Sequence, residues 1–126
     1  MNLKRVVVTG IGALTPIGNT KDEFWQGLAN GVSGAAPITR FDASLFKTQF
    51  ACEVKNFDVE KFIDRKEARK MDGFTQYAMV AAEEAILDAG VDLEAIDKSR
   101  AGVIWGSGIG GLRTFQEEVT EFAKGD

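Results

Sequence analysis

A chain of 126 residues is long enough for one domain with a sizeable core and too short for two ordinary ones. With 44% hydrophobic and 27% charged residues it has a globular rather than a disordered composition, and its net charge of −4 argues against a broad nucleic-acid surface. A single cysteine, Cys52, precludes an intrachain disulfide and the usual structural zinc site, and the absence of histidine removes a histidine general base and a histidine metal site.

In chain order, the first apolar run covers residues 6–8. It is too short for a signal-peptide core, and no later stretch approaches the ~20 apolar residues of a membrane span, so a cytoplasmic protein is expected. The three valines read instead as a buried strand closed by Thr9 and Gly10. Gly10, Gly12, Pro16 and Gly18 punctuate a loop. Thr20 and Glu23 have capping-box spacing for a helix over 21–29, which Asn30 and Gly31 stop because both tolerate the left-handed conformation. Residues 32–47 have no period and are expected to be irregular. Phe50, Cys52 and Val54 alternate with Ala51, Glu53 and Lys55, which predicts a strand with its first set facing inward. Asp58 caps a short helix over 59–63.

The strongest helical pattern covers 72–89. Phe74, Tyr77, Ala78, Ala81, Ala85 and Ala89 recur at three- and four-residue steps, and Gly90 ends the helix. The small alanines imply close packing against another element. Residues 102–105 read as a second buried strand running into the glycine loop 106–111, and a polar helix follows over about 112–123. The alternation of strands and helices predicts an α/β fold. Phe115, Val119 and Phe122 on the last helix have little left in the chain to cover them, and the expectation is that the polypeptide continues past Asp126.

Several groups are candidates for chemistry. Gly106, Gly108 and Gly111 fit the GxGxxG spacing of a dinucleotide site, in which glycines admit a pyrophosphate to a helix N-terminus. The acidic residue of that fingerprint would fall at the very end of the chain, and the strand that should carry it is missing, which favours a tight strand-to-loop turn. The N-terminal GIG fails the same test because Thr15 stands where a glycine is needed. Cys52 has no histidine to activate it and reads as a buried structural cysteine. Glu83 with Glu84, and Glu117 with Glu118, point apart on a helix and read as solvated surface rather than acid/base dyads. Arg65, Lys66, Arg69 and Lys70 concentrate positive charge in an acidic chain, with like charges at i,i+4. That cluster is either a solvated face softened by Asp64 and Asp72 or the docking surface of an acidic partner.

Three segments are more specific: RVVVTGIGALTPIGNT over 5–20, RKEARKMDGFTQYAMVAAEEAILDAG over 65–90 and GVIWGSGIGG over 102–111. In order and spacing the chain resembles the elongating β-ketoacyl-[acyl-carrier-protein] synthases over essentially its whole length, with the type II synthases of bacterial fatty-acid synthesis as the nearest match. The resemblance implies a thiolase-like fold of two duplicated α/β halves in a homodimer, of which residues 1–126 supply the N-terminal part of the first half only. It implies an acyltransferase that condenses malonyl-loaded carrier protein with an acyl group held on an active-site cysteine, without a cofactor or metal. The family's cysteine, in a Thr-Ala-Cys context, and its two histidines would lie beyond Asp126, so none of the catalytic residues is expected here. Cys52 does not match that motif.

The same resemblance places Lys66, Arg69 and Lys70 in a patch that docks acyl carrier protein, and Ile109 in the lining of the acyl pocket. Nucleic acid and membrane are not expected partners. Two other functions are retained for comparison: a non-catalytic carrier-binding module using Lys66, Arg69 and Lys70, and a dinucleotide-binding domain using the 106–111 glycines.

Overall fold

A computed structural model describes residues 3–125. In chain order its elements are helix α1 (Lys21–Ala29), strands β1 (Ala35–Pro37) and β2 (Phe50–Cys52), a 3-10 turn (Val59–Lys61), helices α2 (Arg65–Ala68) and α3 (Gly73–Ala89), a second 3-10 turn (Lys98–Arg100) and helix α4 (Leu112–Lys124). The chain divides into two compact units. The first runs to Phe57 and includes Ala81–Gly90, and the second comprises Asp58–Val80 and the chain from Val91 onward.

In the first unit the glycine-punctuated loop after residue 9 lies against the C-terminal half of α3. A Cβ at Gly10 would stand 2.6 Å from the Ala89 nitrogen, and one at Gly12 would stand 2.8 Å from the Ala81 carbonyl carbon. Such distances leave no room for a side chain, so the alanine stripe of α3 is packed against backbone. Two carboxylates one turn apart on α3 then fix the loop. The Ala13 and Lys21 amides each donate to Glu84 at 2.8 Å, through Oε2 and Oε1 respectively. The Ile11 amide donates to Asp88 Oδ2 at 2.9 Å, and Lys21 Nζ meets Asp88 Oδ1 at 2.6 Å. Glu84 therefore does not belong to a solvated surface pair. It satisfies amides that the irregular loop cannot pair within itself.

The capping of α1 follows its sequence, with one change. The Glu23 amide donates to Thr20 Oγ1 at 3.2 Å, but the Glu23 carboxylate accepts from the Asn19 amide at 2.7 Å, one residue earlier than a capping box requires. At the other end Gly31 alone is left-handed, with φ +63°, and the Val32 amide donates to the Gly27 carbonyl at 2.9 Å. Asn30 stays at φ −91° and acts through its side chain, whose Nδ2 donates to the Gln26 carbonyl at 2.9 Å. Gly27 is buried, and a Cβ there would stand 2.9 Å from the Ile17 carbonyl oxygen.

Strands β1 and β2 pair antiparallel with Ala35 opposite Cys52, Ala36 opposite Ala51 and Pro37 opposite Phe50. The inward face is the reverse of the expected one. Ala36 and Ala51 are half-buried, whereas Phe50 and Cys52 are exposed. The strand at 35–37, inside the segment expected to be irregular, forms because residues 50–52 pair with it, whereas the reversal follows from which side of the ribbon is covered: the Ala36–Ala51 side is, and Phe50 and Cys52 stay exposed.

Residues 6–8 and 102–105 do not form strands, contrary to the expectation, and they are not buried. Val6 is 91% exposed and Ile104 fully exposed. A strand needs a ladder partner, and among the described residues the only ladder joins β1 to β2. In the second unit Ala68 and Val80 are buried, Asp58 caps the first 3-10 turn through the Glu60 amide at 3.1 Å, and α4 leaves Phe115, Val119 and Phe122 exposed as its sequence implied.

Gly12→Ala should destabilise the chain by about 1–3 kcal/mol in urea denaturation, the usual cost of overpacking. A loss below about 0.5 kcal/mol would show that loop and helix are not in close contact. The Lys21–Asp88 pair adds a pH dependence. Hydrogen bonds from Lys21, and then from the Ile11 amide, hold the Asp88 carboxyl below its ordinary value of 3.8, and Asp88 raises Lys21 above 10.5. The Asp88 contribution is present above the ordinary aspartate value and is lost as pH falls through the lowered one. The Lys21 contribution is complete below the ordinary lysine value and is lost as pH rises through the raised one. The stability difference between wild type and Asp88→Asn should thus be level across neutral pH and shrink below about pH 4 and above about pH 10.5. A pH-independent difference would contradict the pairing.

Candidate functional site

The basic cluster lies on a short, well-fastened turn. Asp64 begins it, with Oδ1 accepting from the Lys66 amide at 2.8 Å, and α2 ends four residues later at Ala68. Ala68 is buried, and Gln76 of α3 donates from Nε2 to the carbonyls of Ala68 at 2.8 Å and Met71 at 3.2 Å. The Ala68 carbonyl also accepts from the Met71 amide at 3.2 Å, and the Gln76 side chain adds a second donor there and one at Met71 that fasten the turn to α3.

Because the helix stops early, Arg69 is its C-cap and Lys70 lies outside it, so the like charges do not form one stacked row. Arg65 Nε approaches Glu60 at 3.3 Å and Lys70 Nζ approaches Glu67 at 2.6 Å. Among the described residues no carboxylate forms an ion pair with Lys66 or Arg69, and both side chains are exposed. The cluster thus separates into two cations with acidic neighbours and two that present their charge to solvent.

Ile109 sits in the glycine loop of the same unit and is 78% exposed. Gly110 beside it has φ +79°, a left-handed conformation that glycine adopts without strain. The loop ends at Gly111, the N-cap of α4, which has no side chain with which to cap. The Asp72 carboxylate stands beside this end without capping a backbone amide. It accepts from Thr114 Oγ1 and occupies the space where a Cβ on Gly111 would be. From the sequence alone Asp72 reads only as a charge that softens the basic cluster. A carboxylate at this helix end is favoured by the helix dipole. It also stands where a dinucleotide site needs room for an anion, so the fit of the glycines to that fingerprint does not extend to its chemistry.

Cys52 is exposed on β2 rather than buried, a correction that follows from the uncovered face of the ribbon. Glu117 pairs with Arg113 at 2.7 Å along α4, and no acid/base dyad is formed. Among the described residues no cluster of three or more histidine, cysteine or acidic side chains has metal-binding geometry, and no helix is long and apolar enough to cross a membrane. In the first unit an open hollow of about 300 Å³ is lined by Thr15, Asn19, Lys55 and Asn56 among others. The signal for the Glu84–Asp88 clamp was present in the sequence: the two acids repeat at four residues beside an alanine stripe of the same period.

The family model described as "Beta-ketoacyl synthase, N-terminal domain" matches residues 3–125. A 3-oxoacyl-[acyl-carrier-protein] synthase 2 from Synechocystis is 50% identical over 117 residues, 93% of this chain and 28% of the relative. The protein of the same name from Staphylococcus aureus strain COL is 52% identical over 113 residues, 90% of this chain and 27% of the relative. This chain therefore spans little more than a quarter of the length of these relatives. Among solved structures, the ishigamide ketosynthase/chain length factor matches with TM-score 0.83 and 36% identity, covering 95% of this chain and 30% of that one. A type II PKS acyl-carrier protein in complex with its ketosynthase bound to the hexaketide matches with TM-score 0.57 and 28% identity, over 75% of this chain and 23% of that one.

Proposed function

The chain belongs to the beta-ketoacyl synthase family, and from that premise we propose that it is the carrier-docking and acyl-pocket portion of a synthase that elongates acyl chains on acyl carrier protein. In the reaction a cysteine thiolate attacks the carrier-bound acyl thioester, takes the acyl group as its own thioester and expels the carrier's thiolate. A malonyl thioester loses carbon dioxide, and the resulting carbanion attacks the acyl carbonyl. The new carbon–carbon bond forms as the cysteine thiolate leaves. This chain has no histidine, and Cys52 lies outside the family's Thr-Ala-Cys context, so the thiolate and the groups that stabilise developing charge belong to the rest of a full-length synthase. Residues 1–126 form part of its first α/β half, in a cytoplasmic homodimer. The exposed apolar residues at 6–8, 102–105 and on α4 are faces that the assembled enzyme covers.

The observation that carries the docking role is the pair Lys66 and Arg69, exposed on a fastened turn and without carboxylate partners among the described residues. Fixed cations in an acidic chain attract an acidic carrier protein locally without making the whole surface basic, and their main effect is on the encounter rate. The complex of a carrier protein with a related ketosynthase is consistent with this reading. Ile109 is assigned to the acyl pocket, where an isoleucine flanked by glycines can adjust to chains of different length. The second reading, a non-catalytic carrier-binding module, would use Lys66, Arg69 and Lys70 alone.

Lys66→Glu and Arg69→Glu should each weaken binding of acyl carrier protein by about tenfold at low ionic strength, with the loss mostly in the association rate and shrinking as salt is added. Lys70→Met should cost less than Lys66→Met or Arg69→Met, because the Lys70 ammonium is already engaged by Glu67. Titration calorimetry and stopped-flow measure both effects, and variants that bind like wild type would remove the assignment. The purified 126-residue chain should form no ketoacyl product from malonyl- and acyl-loaded carrier protein. Product formation would require a thiolate and charge-stabilising groups not identified among its residues.

A further inference from the structure

We infer that Asp72 is a positioning residue that tethers the loop carrying Ile109 to the turn carrying Lys66 and Arg69. The inference rests on the reading of that turn as the carrier-docking surface and of Ile109 as an acyl-pocket residue.

Asp72 follows Lys70 by two residues and opens α3, where its carbonyl accepts from the amides of Thr75 at 2.9 Å and Gln76 at 3.1 Å. Its side chain, which at such a position would ordinarily cap its own helix, is turned to α4. There it accepts from Thr114 Oγ1 and closes against Gly111. The turn on one side cannot shift independently, because Ala68 is buried and Gln76 holds both the Ala68 and Met71 carbonyls.

On the other side the loop has little else to hold it. A Cβ at Gly106 or Gly108 would meet nothing within 4 Å, and the same is true at Gly110. Gly111 is the first of the loop's glycines at which the chain meets another element. From that point the Leu112 amide reaches back to the Gly110 carbonyl at 3.0 Å, and Ile109 is the next residue. The direction of the Ile109 side chain is therefore set by a short lever whose pivot is the Asp72 carboxylate. Loss of that pivot frees the lever at little cost in apolar burial, because Ile109 is already 78% exposed.

Amide hydrogen exchange in the full protein tests the tether, with Asp72→Ala, Thr114→Val and the conservative Thr114→Ser. The amides of Leu112 and Phe115, which donate to the Gly110 and Gly111 carbonyls, should exchange about tenfold faster in the first two variants, the scale of one lost charge-assisted hydrogen bond, and at the wild-type rate in Thr114→Ser. Carrier-protein affinity should stay within about twofold of wild type, since neither position is in the cationic pair. The ratio of kcat/KM for long against short acyl primers should shift in Thr114→Val and return in Thr114→Ser, which a general loss of stability would not produce. Unchanged loop exchange in both Asp72→Ala and Thr114→Val overturns the tether and leaves carrier docking standing. A loop that responds as expected in a protein that does not bind carrier protein supports the tether and overturns the docking reading.

Discussion

The organisation of the first unit depends on two carboxylates, Glu84 and Asp88, placed one turn apart on a helix whose adjoining stripe is alanine. The loop after residue 9 is rich in glycine and has almost no regular hydrogen bonding of its own beyond the Thr15–Gly18 bridge. Its amides at Ile11, Ala13 and Lys21 need acceptors, and α3 supplies them. Glycines 10 and 12 bring the backbone close enough for those bonds to form, so the small residues and the acids act together. A larger residue in either set would separate the loop from its acceptors. The same carboxylates fix the start of α1, because the Lys21 amide and ammonium are bound by Glu84 and Asp88 respectively.

The helices were legible in the sequence because their signals are local. The spacing of α1 between Thr20 and Asn30, the alanine period of α3 and the turn at Asp58 depend on neighbours a few residues away. The strands were less legible because pairing is not local. The valines at 6–8 and the apolar run at 102–105 have strand composition, yet composition supplies no partner, and neither run is in a ladder among the described residues. The short strand at 35–37 has little strand signal and forms because residues 50–52 pair with it. Cys52 was misplaced for the same reason: its alternation with Ala51 was clear, but which of the two faces inward depends on what covers the ribbon.

At the candidate site, residue type and charge were legible, while individual roles were not. The basic cluster reads from sequence as four similar cations. In the structure Glu60 and Glu67 engage two of them, and the remaining two stand on a turn held by Gln76. Asp72 is the clearest case of a role hidden from sequence. Its partner, Thr114, lies 42 positions away, and no local pattern connects a residue at the start of one helix with the first turn of another. The dinucleotide spacing in the glycine loop shows the converse, since a motif can match in letters while a neighbouring carboxylate alters its chemistry.

The account depends most on the claim that the turn at 64–70 is where acyl carrier protein lands. The direct measurement is an amide chemical-shift map of the isotopically labelled protein titrated with unlabelled carrier protein at low ionic strength. The account predicts that the largest perturbations fall on residues 64–70, centred on Lys66 and Arg69, and fade as salt is raised. Perturbations concentrated elsewhere, such as around the hollow at Asn19 and Asn56, with residues 64–70 unmoved, would contradict it.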